Sequence, residues 1–314
     1  MMKLHKRVLF SCLFLYLLVL LTFQRRRPVQ VVVQLNQSRQ FQRRIPVQVV
    51  VQLNQSRQVS HSTAFIQLCV MSVSRGNVSY VNDVLGSLQA AMNSSWNMAV
   101  QVLDLSPEVE RQDMQVAQQR FDGFSFQKVQ NRSSLNCPAG CVEAVEGSIP
   151  CCVQQQTLDV ATGLQLCARD THPNGWVVYL EDDSVACPEA LEHMQLALSL
   201  LSPGKWHAAT FSSFFTGVAF HRSSIDAFAQ QISKEVQHMP IDTLFWTPWS
   251  SKATYAYTGN LFRHGGHTSS FSYRNEQWFR DLYDNPWRFA SSLTECSVMD
   301  TEELLRSLLP VTRL

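Results

Sequence analysis

The segment WVVYLEDD, residues 176–183, joins five consecutive apolar or aromatic residues to three carboxylates. A short apolar run of this kind, preceded by the turn sequence HPNG, predicts a buried strand of a parallel sheet. Ligands of open α/β sheets bind at the carboxyl ends of the strands, where Glu181, Asp182 and Asp183 would lie. The segment therefore predicts an α/β fold with an acidic site at one edge of its sheet.

Two of these carboxylates have the spacing of a metal site. Glu181 and Asp183 are two residues apart, so on an extended backbone their side chains point to the same face. Such a pair suits a hard divalent cation, Mn²⁺ or Mg²⁺, which can bridge a diphosphate. A solvated acidic turn is the alternative interpretation. Downstream, His264 is followed by two glycines that allow close approach of the backbone to a ligand, and it is predicted to complete the metal or diphosphate site rather than to be a structural histidine.

The residues before and after this segment predict further elements of an α/β fold. A strand is predicted at 64–73, a helix at 80–92 and a second strand at 98–105. This order and spacing are those of a parallel βαβ unit. Residues 106–150 are polar and punctuated by Gly and Pro, which predicts mostly loop. Later segments predict helices at 157–169, 188–201 and 223–236 and short strands at 206–211 and 216–220.

Charge is distributed unevenly along the 314 residues. Residues 1–60 hold ten of the 26 Lys and Arg residues and none of the 25 Asp and Glu residues. The formal net charge of +1 is therefore an average over two unlike parts, a basic start and an acidic main body. An acidic main body argues against a nucleic-acid partner.

The apolar run VLFSCLFLYLLVLLTF, residues 8–23, follows Lys3, Lys6 and Arg7. Its length lies between that of a cleaved signal core, about 7–15 residues, and that of a bilayer span, about 20. No small-residue cleavage pattern follows it. We predict a cytosolic tail at 1–7 and an uncleaved signal anchor at 8–23, which gives a type II membrane protein; a cleaved secretory peptide is the alternative.

A tandem repeat follows the apolar run. Residues 23–40 and 41–58 are two copies of one 18-residue sequence that differ only at Arg27 and Ile45. Two copies are too few for a solenoid, which needs three or more units. Their VQVVVQL cores alternate as strands do and could pair or aggregate. We favour a stem at 24–63 that holds a folded domain away from the membrane.

The cysteines indicate an oxidising compartment. Eight of the nine follow the apolar run, and six lie between residues 137 and 187. Cys137 and Cys141, followed by Cys151 and Cys152, fit no common zinc-site spacing, so disulfides of open connectivity are the preferred interpretation. The Asn-x-Ser glycosylation sequences are at Asn36, Asn54, Asn77, Asn93 and Asn131. Together these features predict entry into the secretory pathway.

Five short segments occur in a recognisable order within residues 65–275. They are Ser74-Arg75 with Tyr80 and the helix of Leu85, Ser87 and Leu88; QQTLD at 155–159; YLEDD at 179–183; PID at 240–242; and LFRH at 261–264 with Gly266, Ser269 and Ser270. In this order they resemble the N-glycan branching β-1,4-N-acetylglucosaminyltransferase IV family. A similar acidic strand and His-Gly-Ser-Ser turn mark the enzyme that adds N-acetylgalactosamine to GPI glycans, so the motifs do not fix the acceptor.

The resemblance implies a GT-A-type, Rossmann-like glycosyltransferase domain at 64–290 and a tail at 291–314. It also implies a UDP-sugar donor, inverting chemistry and residence in the Golgi membrane with the catalytic domain in the lumen. We therefore expect transfer of GlcNAc or a related HexNAc to a mannose-containing glycan, such as an N-glycan core, on a glycoprotein or glycolipid. Association with other Golgi transferases is a further expectation.

An inverting transfer needs a metal site, a nucleotide site and one general base. The metal would be held by Glu181 and Asp183, with His264 at the metal or the diphosphate. The candidate nucleotide and donor contacts are Arg75, Gln156, Asp159 and Asp182, the last as a ribose or donor-sugar contact. Asp242 is the candidate base that takes the proton of the acceptor hydroxyl; its alternative role is an ordinary helix N-terminal acid after Pro240.

Three departures from the family support a second hypothesis. Because 44 residues follow Ser270, we expect the C-terminal lectin-like domain of larger members to be missing. Residues 107–152 are unusually rich in cysteine, and the segment between Asp242 and His264 is shorter than in typical members. This hypothesis is a catalytically inactive lumenal protein that binds or regulates a true transferase. A secreted disulfide-rich binding domain without nucleotide affinity is a third alternative.

Overall fold

The computed structural model describes residues 64–74, 79–107, 111–130, 135, 137, 149–201, 205–212, 215–245, 254–265, 295–301 and 303–304. The predicted tail at 1–7, signal anchor at 8–23 and stem at 24–63 lie outside these ranges, as does Arg75. Within them, no helix is both long enough and apolar enough to cross a bilayer.

The described residues form a mixed α/β fold around one central sheet. Its strands, with those of a small second sheet, are β1 (Ile66–Ser72), β2 (Met98–Asp104), β3 (Ser125–Lys128), β4 (Trp176–Glu181), β5 (Ser184–Ala186), β6 (Ala208–Thr210), β7 (Val218–His221), β8 (Thr254–Ala256) and β9 (Phe262–His264). The central order is β3-β2-β1-β4-β7-β6-β8, and β5 pairs with β9. Strands β1 to β4 are mutually parallel, and β7 is antiparallel to both neighbours. This confirms the predicted α/β class with a mostly parallel central sheet.

Helices cover both faces of this sheet. They are α1 (Val81–Ala91), α2 (Gln112–Arg120), α3 (Cys151–Arg169), α4 (Ala190–Leu200), α5 (Ile225–Glu235) and α6 (Ile241–Leu244). Alternate residues of β1 face opposite layers: Leu68 and Val70 pack with α1, and Cys69 and Met71 pack with α3. Because both faces are covered, β1 and β4 are apolar along almost their whole length, as the sequence indicated.

The prediction of mostly loop for residues 106–150 is wrong for two segments, α2 and β3. Helix α2 buries only Met114 and Ala117, so its apolar periodicity is too weak to identify it from the sequence. Strand β3 is the four-residue sequence SFQK at the edge of the sheet, where it pairs only with β2 among the described strands. An edge strand such as β3 is less covered by neighbouring elements than a central strand, which explains its polar composition.

Disulfides join described residues in three places, which confirms the predicted oxidised cysteines. The pairs are Cys69–Cys167, Cys137–Cys151 and Cys187–Cys296, and Cys152 is also disulfide-bonded. Cys69 and Cys167 link β1 to α3 within the buried layer between them. Such cross-links restrict the unfolded chain and so stabilise the fold.

The described residues 295–304 pack against the domain. Besides the disulfide of Cys296, Met299 and Leu304 are buried in the core on the α1 side of the sheet. Ser297 forms a bridge with Asn260, whose side chain also donates to the carbonyl of Glu295 at 2.9 Å. Described residues on both sides of residue 290 are therefore joined by a disulfide, backbone pairing and core contacts.

Candidate metal and ligand site

Glu181, Asp183 and His264 meet at the carboxyl end of β4. Nε2 of His264 lies 3.3 Å from Oδ2 of Asp183 and 3.9 Å from Oε2 of Glu181. One donor atom from each residue lies within 4.8 Å of the other two. Ligands of one ion bound at about 2.1 Å are about 3–4 Å apart, so only a small inward movement would complete a shared site. The structure thus brings together the three residues that the sequence proposed for a metal.

Strand pairing places His264 beside Asp183, although 81 residues separate them in sequence. Strands β5 and β9 are antiparallel, with Ser184 opposite His264. The amide of Gly265 donates to the carbonyl oxygen of Asp183 at 2.7 Å, which extends the pairing by one residue. The backbone pairing of this small sheet therefore places the main chain of His264 beside that of Asp183.

Burial and donor chemistry both fit a divalent cation. The Asp183 side chain is 1% exposed, whereas those of Glu181 and His264 are 26% and 21% exposed. A carboxylate so deeply buried is costly unless it is paired with a cation or binds one. Carboxylates suit Mg²⁺ and Mn²⁺, and imidazole suits divalent transition metals, so this mixed set is compatible with a divalent cation such as Mn²⁺.

Groups beneath the site orient Glu181. The hydroxyl of Tyr179 donates to its Oε1 at 3.3 Å. Burial, together with the negative charges of Glu181 and Asp183, raises the pKa of Tyr179 well above its usual value, so this hydroxyl keeps its proton. The amide of Glu181 donates to Oγ1 of Thr216 at 3.4 Å, and the same hydroxyl lies 2.5 Å from Oγ of Ser184.

Asp182 points away from its two neighbours. It is 3% exposed, and its Oδ2 accepts from the Ser72 hydroxyl at 2.7 Å and from the Val73 amide at 3.3 Å. The structure therefore places this candidate ribose or donor-sugar contact against the end of β1. Glu181 and Asp183 face His264 instead.

The candidate nucleotide contacts on α3 lie near the same edge of the sheet. Cys167 bonds to Cys69, and Gly163 lies close to Met71, so α3 runs antiparallel to β1. Asp159 lies one helical turn before Gly163, which places it level with the end of β1. It is 5% exposed and accepts from the Gln155 amide at 2.8 Å, whereas Gln156 is half-buried.

Asp242 lies in the first turn of α6 and is half-buried. Its Oδ1 accepts from the amide of Thr243 at 2.8 Å. Aromatic contacts connect α6 with the acidic strand: the ring of Phe245 lies 5.4 Å from that of Phe215, which lies 5.0 Å from that of Tyr179. These contacts place the helix of Asp242 on the same face of the sheet as Glu181.

An open pocket of about 370 Å³ adjoins Asp183. Its walls come from the start of α1, the end of α2 and the β5–β9 sheet: Tyr80, Asn82, Asp83, Gly86, Arg120, Val185, Arg263 and Gly265. Arg120 and Arg263 thus line the same pocket as Asp183. Among the described residues, the buried Oδ1 of Asn82 has no hydrogen-bond partner. Such an acceptor can be satisfied by a ligand hydroxyl or amine. Sequence reasoning assigned no role to Asn82, Asp83 or Arg120, because no spacing connects them to the acidic segment.

The disulfide between Cys187 and Cys296 fastens the sheet that carries His264. Cys187 follows β5, and its amide donates to the carbonyl of Leu261, next to β9, at 2.9 Å. Its partner is 109 residues away in sequence. Without this cross-link, both the fold and the alignment of β5 with β9 should be weaker.

Replacing Cys187 and Cys296 together with Ala should lower the free energy of unfolding by about 3–5 kcal/mol, because the bond closes a long loop. In a domain of this size the midpoint of thermal unfolding should fall by roughly 10 °C. Mn²⁺ affinity, measured by electron paramagnetic resonance below that midpoint, should fall too. The matched control replaces Cys137 and Cys151, only 14 residues apart; equal effects of both pairs on Mn²⁺ affinity would contradict a specific link to the site.

No family model and no curated protein sequence matches the chain. Solved structures with a similar fold include a galactosyltransferase, LgtC, in complex with donor and acceptor sugar analogues (11% identity, TM-score 0.40, 61% of this chain and 73% of that chain). Another is the mannosyltransferase PcManGT from Pyrobaculum calidifontis in complex with GDP-Man and Mn²⁺ (9% identity, TM-score 0.42, 79% and 70%). A third is a cytidylyltransferase from Leptospira borgpetersenii (11% identity, TM-score 0.38, 76% and 99%).

Proposed function

We propose that this chain is a metal-dependent, inverting glycosyltransferase with a GT-A-type domain. It would move GlcNAc or a related HexNAc from a UDP-sugar to a mannose-containing glycan. The observation that carries the proposal is the meeting of Glu181, Asp183 and His264 at a strand end, beside a pocket that also contains two arginines. A cation held there would supply Lewis acidity toward the diphosphate of the donor.

Other side chains of the site would carry out the remaining steps of the transfer. Arg120 and Arg263 would offset the charge of the departing UDP from the pocket walls. Asp242 would accept the proton of the acceptor hydroxyl as its oxygen bonds to the anomeric carbon. The bond from that carbon to the UDP oxygen breaks at the same time, and the configuration of the sugar is inverted. Tyr179, which stays protonated, would keep Glu181 oriented throughout.

The proposal is tested with the purified full chain by calorimetric titration of UDP with and without Mn²⁺. We expect UDP to bind with Mn²⁺ and to lose most of its affinity when EDTA removes the metal. Release of sugar from UDP-GlcNAc, UDP-GalNAc and UDP-Gal then identifies the donor, and a preference for UDP-GalNAc would favour the GPI-glycan alternative. No UDP affinity at any Mn²⁺ concentration, together with no sugar release, would refute a transferase.

We further propose that the domain works in the Golgi lumen, attached to the membrane by residues 8–23. The disulfides support an oxidising compartment. The exposed sequence Asn93-Ser94-Ser95 supports it as well: it follows α1 near the amino end of β1, at the edge of the sheet opposite the acidic site. An N-linked glycan at this position would leave the site open.

Replacing Asn93 with Gln should remove one N-linked glycan from the chain expressed in mammalian cells. The shift in gel mobility on endoglycosidase treatment should become smaller by one step. Ser95→Ala should have the same effect, because Ser95 is the hydroxyl residue of the acceptor sequence. Ser94→Ala, at the middle position, should have none. A wild-type chain that is insensitive to endoglycosidase would contradict the lumenal location.

A further inference from the structure

A buried polar network connects the carboxyl ends of four neighbouring strands. Nζ of Lys128, at the end of β3, donates to Oδ2 of Asp104, at the end of β2, at 2.8 Å. Nη1 of Arg111 lies 3.3 Å from Oδ1 of Asp104 and donates to Oγ of Ser72, at the end of β1, at 3.0 Å. Ser72 in turn donates to Asp182, which follows β4, at 2.7 Å. The hydroxyl of Ser72 thus links the guanidinium to the acidic segment.

Arg111 supplies positive charge inside this network. It is 9% exposed, and a second side of its guanidinium donates to both carboxylate oxygens of Asp113. Burial lowers the pKa of Arg111, but Asp113, Asp104 and Asp182 outweigh it and raise the pKa overall. The group is therefore a permanent cation beneath a segment with three consecutive carboxylates. Such a charge offsets part of their mutual repulsion.

The network holds the central residue of that segment. Asp182 is anchored to the end of β1 by the Ser72 hydroxyl and the Val73 amide. Its neighbours on both sides, Glu181 and Asp183, face Nε2 of His264. A shift of Asp182 would therefore move both carboxylates of the candidate metal site at once. Groups that orient metal ligands from behind commonly change metal affinity by about 10–100-fold when they are removed.

We propose that Ser72 and Arg111 are positioning residues of the metal site and act on it through Asp182. This inference rests on the proposed function, because it assumes that the site binds a divalent cation. Neither residue would touch the metal or the sugar. Their effect would be to fix the spacing of Glu181 and Asp183 before the cation arrives, so that binding does not have to order these side chains.

The chain offers a matched pair of serines for the test. Oγ of Ser106 also accepts from Nη1 of Arg111 at 3.0 Å, and Ser106 is 2% exposed. Of these two hydroxyls, it is that of Ser72 which donates to Asp182. Ser72→Ala and Ser106→Ala each remove one buried hydroxyl from Arg111. Only Ser72→Ala also removes the hydrogen bond to Asp182.

We expect Ser72→Ala to weaken Mn²⁺ binding at least about 10-fold in the full chain with saturating UDP, measured by electron paramagnetic resonance. Ser106→Ala should stay within about twofold of wild type in metal affinity, with a similar loss of thermal stability. At saturating Mn²⁺ the kcat of Ser72→Ala should recover, since no group that contacts the substrate is lost. Equal Mn²⁺ affinities of the two variants would overturn the proposal, because both hydroxyls would then be merely structural.

A second variant keeps the proposal testable if Ser72→Ala does not fold. Arg111→Lys retains the charge, but its single nitrogen cannot reproduce the separate hydrogen bonds that Nε, Nη1 and Nη2 make to Asp113 and Ser72. It should weaken Mn²⁺ binding by severalfold, and unchanged Mn²⁺ affinity in a folded Arg111→Lys protein would overturn the proposal. A wild-type chain that binds UDP with Mn²⁺ preserves the proposed function whichever result the variants give. A wild-type chain that binds no Mn²⁺ would overturn both.

Discussion

Replacing Asp183 with Asn should lower Mn²⁺-dependent sugar transfer by about 10³-fold or more in kcat/KM. Asn has nearly the shape of Asp but no negative charge, so the deepest candidate ligand would bind a cation far more weakly. A metal contributes several kcal/mol to stabilising the charge that develops on the leaving phosphate, and each 1.4 kcal/mol is a factor of about ten in rate. The measurements are initial rates of sugar transfer and Mn²⁺ affinity for the same preparation.

The control for this variant is Asp122→Asn, which removes an exposed carboxylate in the turn after α2. It should leave both the rate and the Mn²⁺ affinity unchanged. An Asp183→Asn protein that retains the wild-type rate with Mn²⁺ would mean that Glu181, Asp183 and His264 are not the metal site.

Replacing Asp242 with Asn should reduce kcat by about 10²–10⁴-fold, the range typical of a lost general base. The affinity for UDP with Mn²⁺ should change little, since Asp242 is on a separate helix from the metal residues. Single-turnover transfer and calorimetry on the same protein separate these two effects. Asp226→Asn is the control, because this residue lies on the neighbouring helix α5 and its side chain is 66% exposed.

A near wild-type kcat of Asp242→Asn would assign Asp242 its alternative role. If Asp242 is only a helix N-terminal acid, its replacement should cost about 0.3–1 kcal/mol of stability and leave kcat near wild type. Its hydrogen bond to the amide of Thr243 is compatible with that role. The helix N-terminal role therefore predicts a loss of stability, whereas the general-base role predicts a loss of rate.

The sequence predicted the parts of the fold that are encoded by local pattern. The apolar run 176–180 with its three acids predicted β4 and the position of the candidate site. The glycines after His264 drew attention to a residue that β9 then places against Asp183. The pairing of β5 with β9 was not predicted, because strands of three residues are too short to show periodicity.

Other features depend on contacts that leave no pattern in the sequence. Arg111 lies in a polar stretch predicted as loop, yet its partners come from the ends of β1 and β2 and from α2. Ser72 and Asp182 are 110 residues apart, and their hydrogen bond exists only because β1 and β4 are neighbours in the sheet. Sequence spacing indicates which residue types could act together, but only the strand order shows which of them meet.

The pairing of β5 with β9 connects metal binding to the stability of the folded protein. A cation bound by Asp183 and His264 would connect two parts of the chain that lie 81 residues apart in sequence. Any ligand that binds only the folded state adds to its stability in proportion to the logarithm of ligand concentration. On the proposed function, the concentration of Mn²⁺ would then affect both the stability of the folded protein and its rate of sugar transfer.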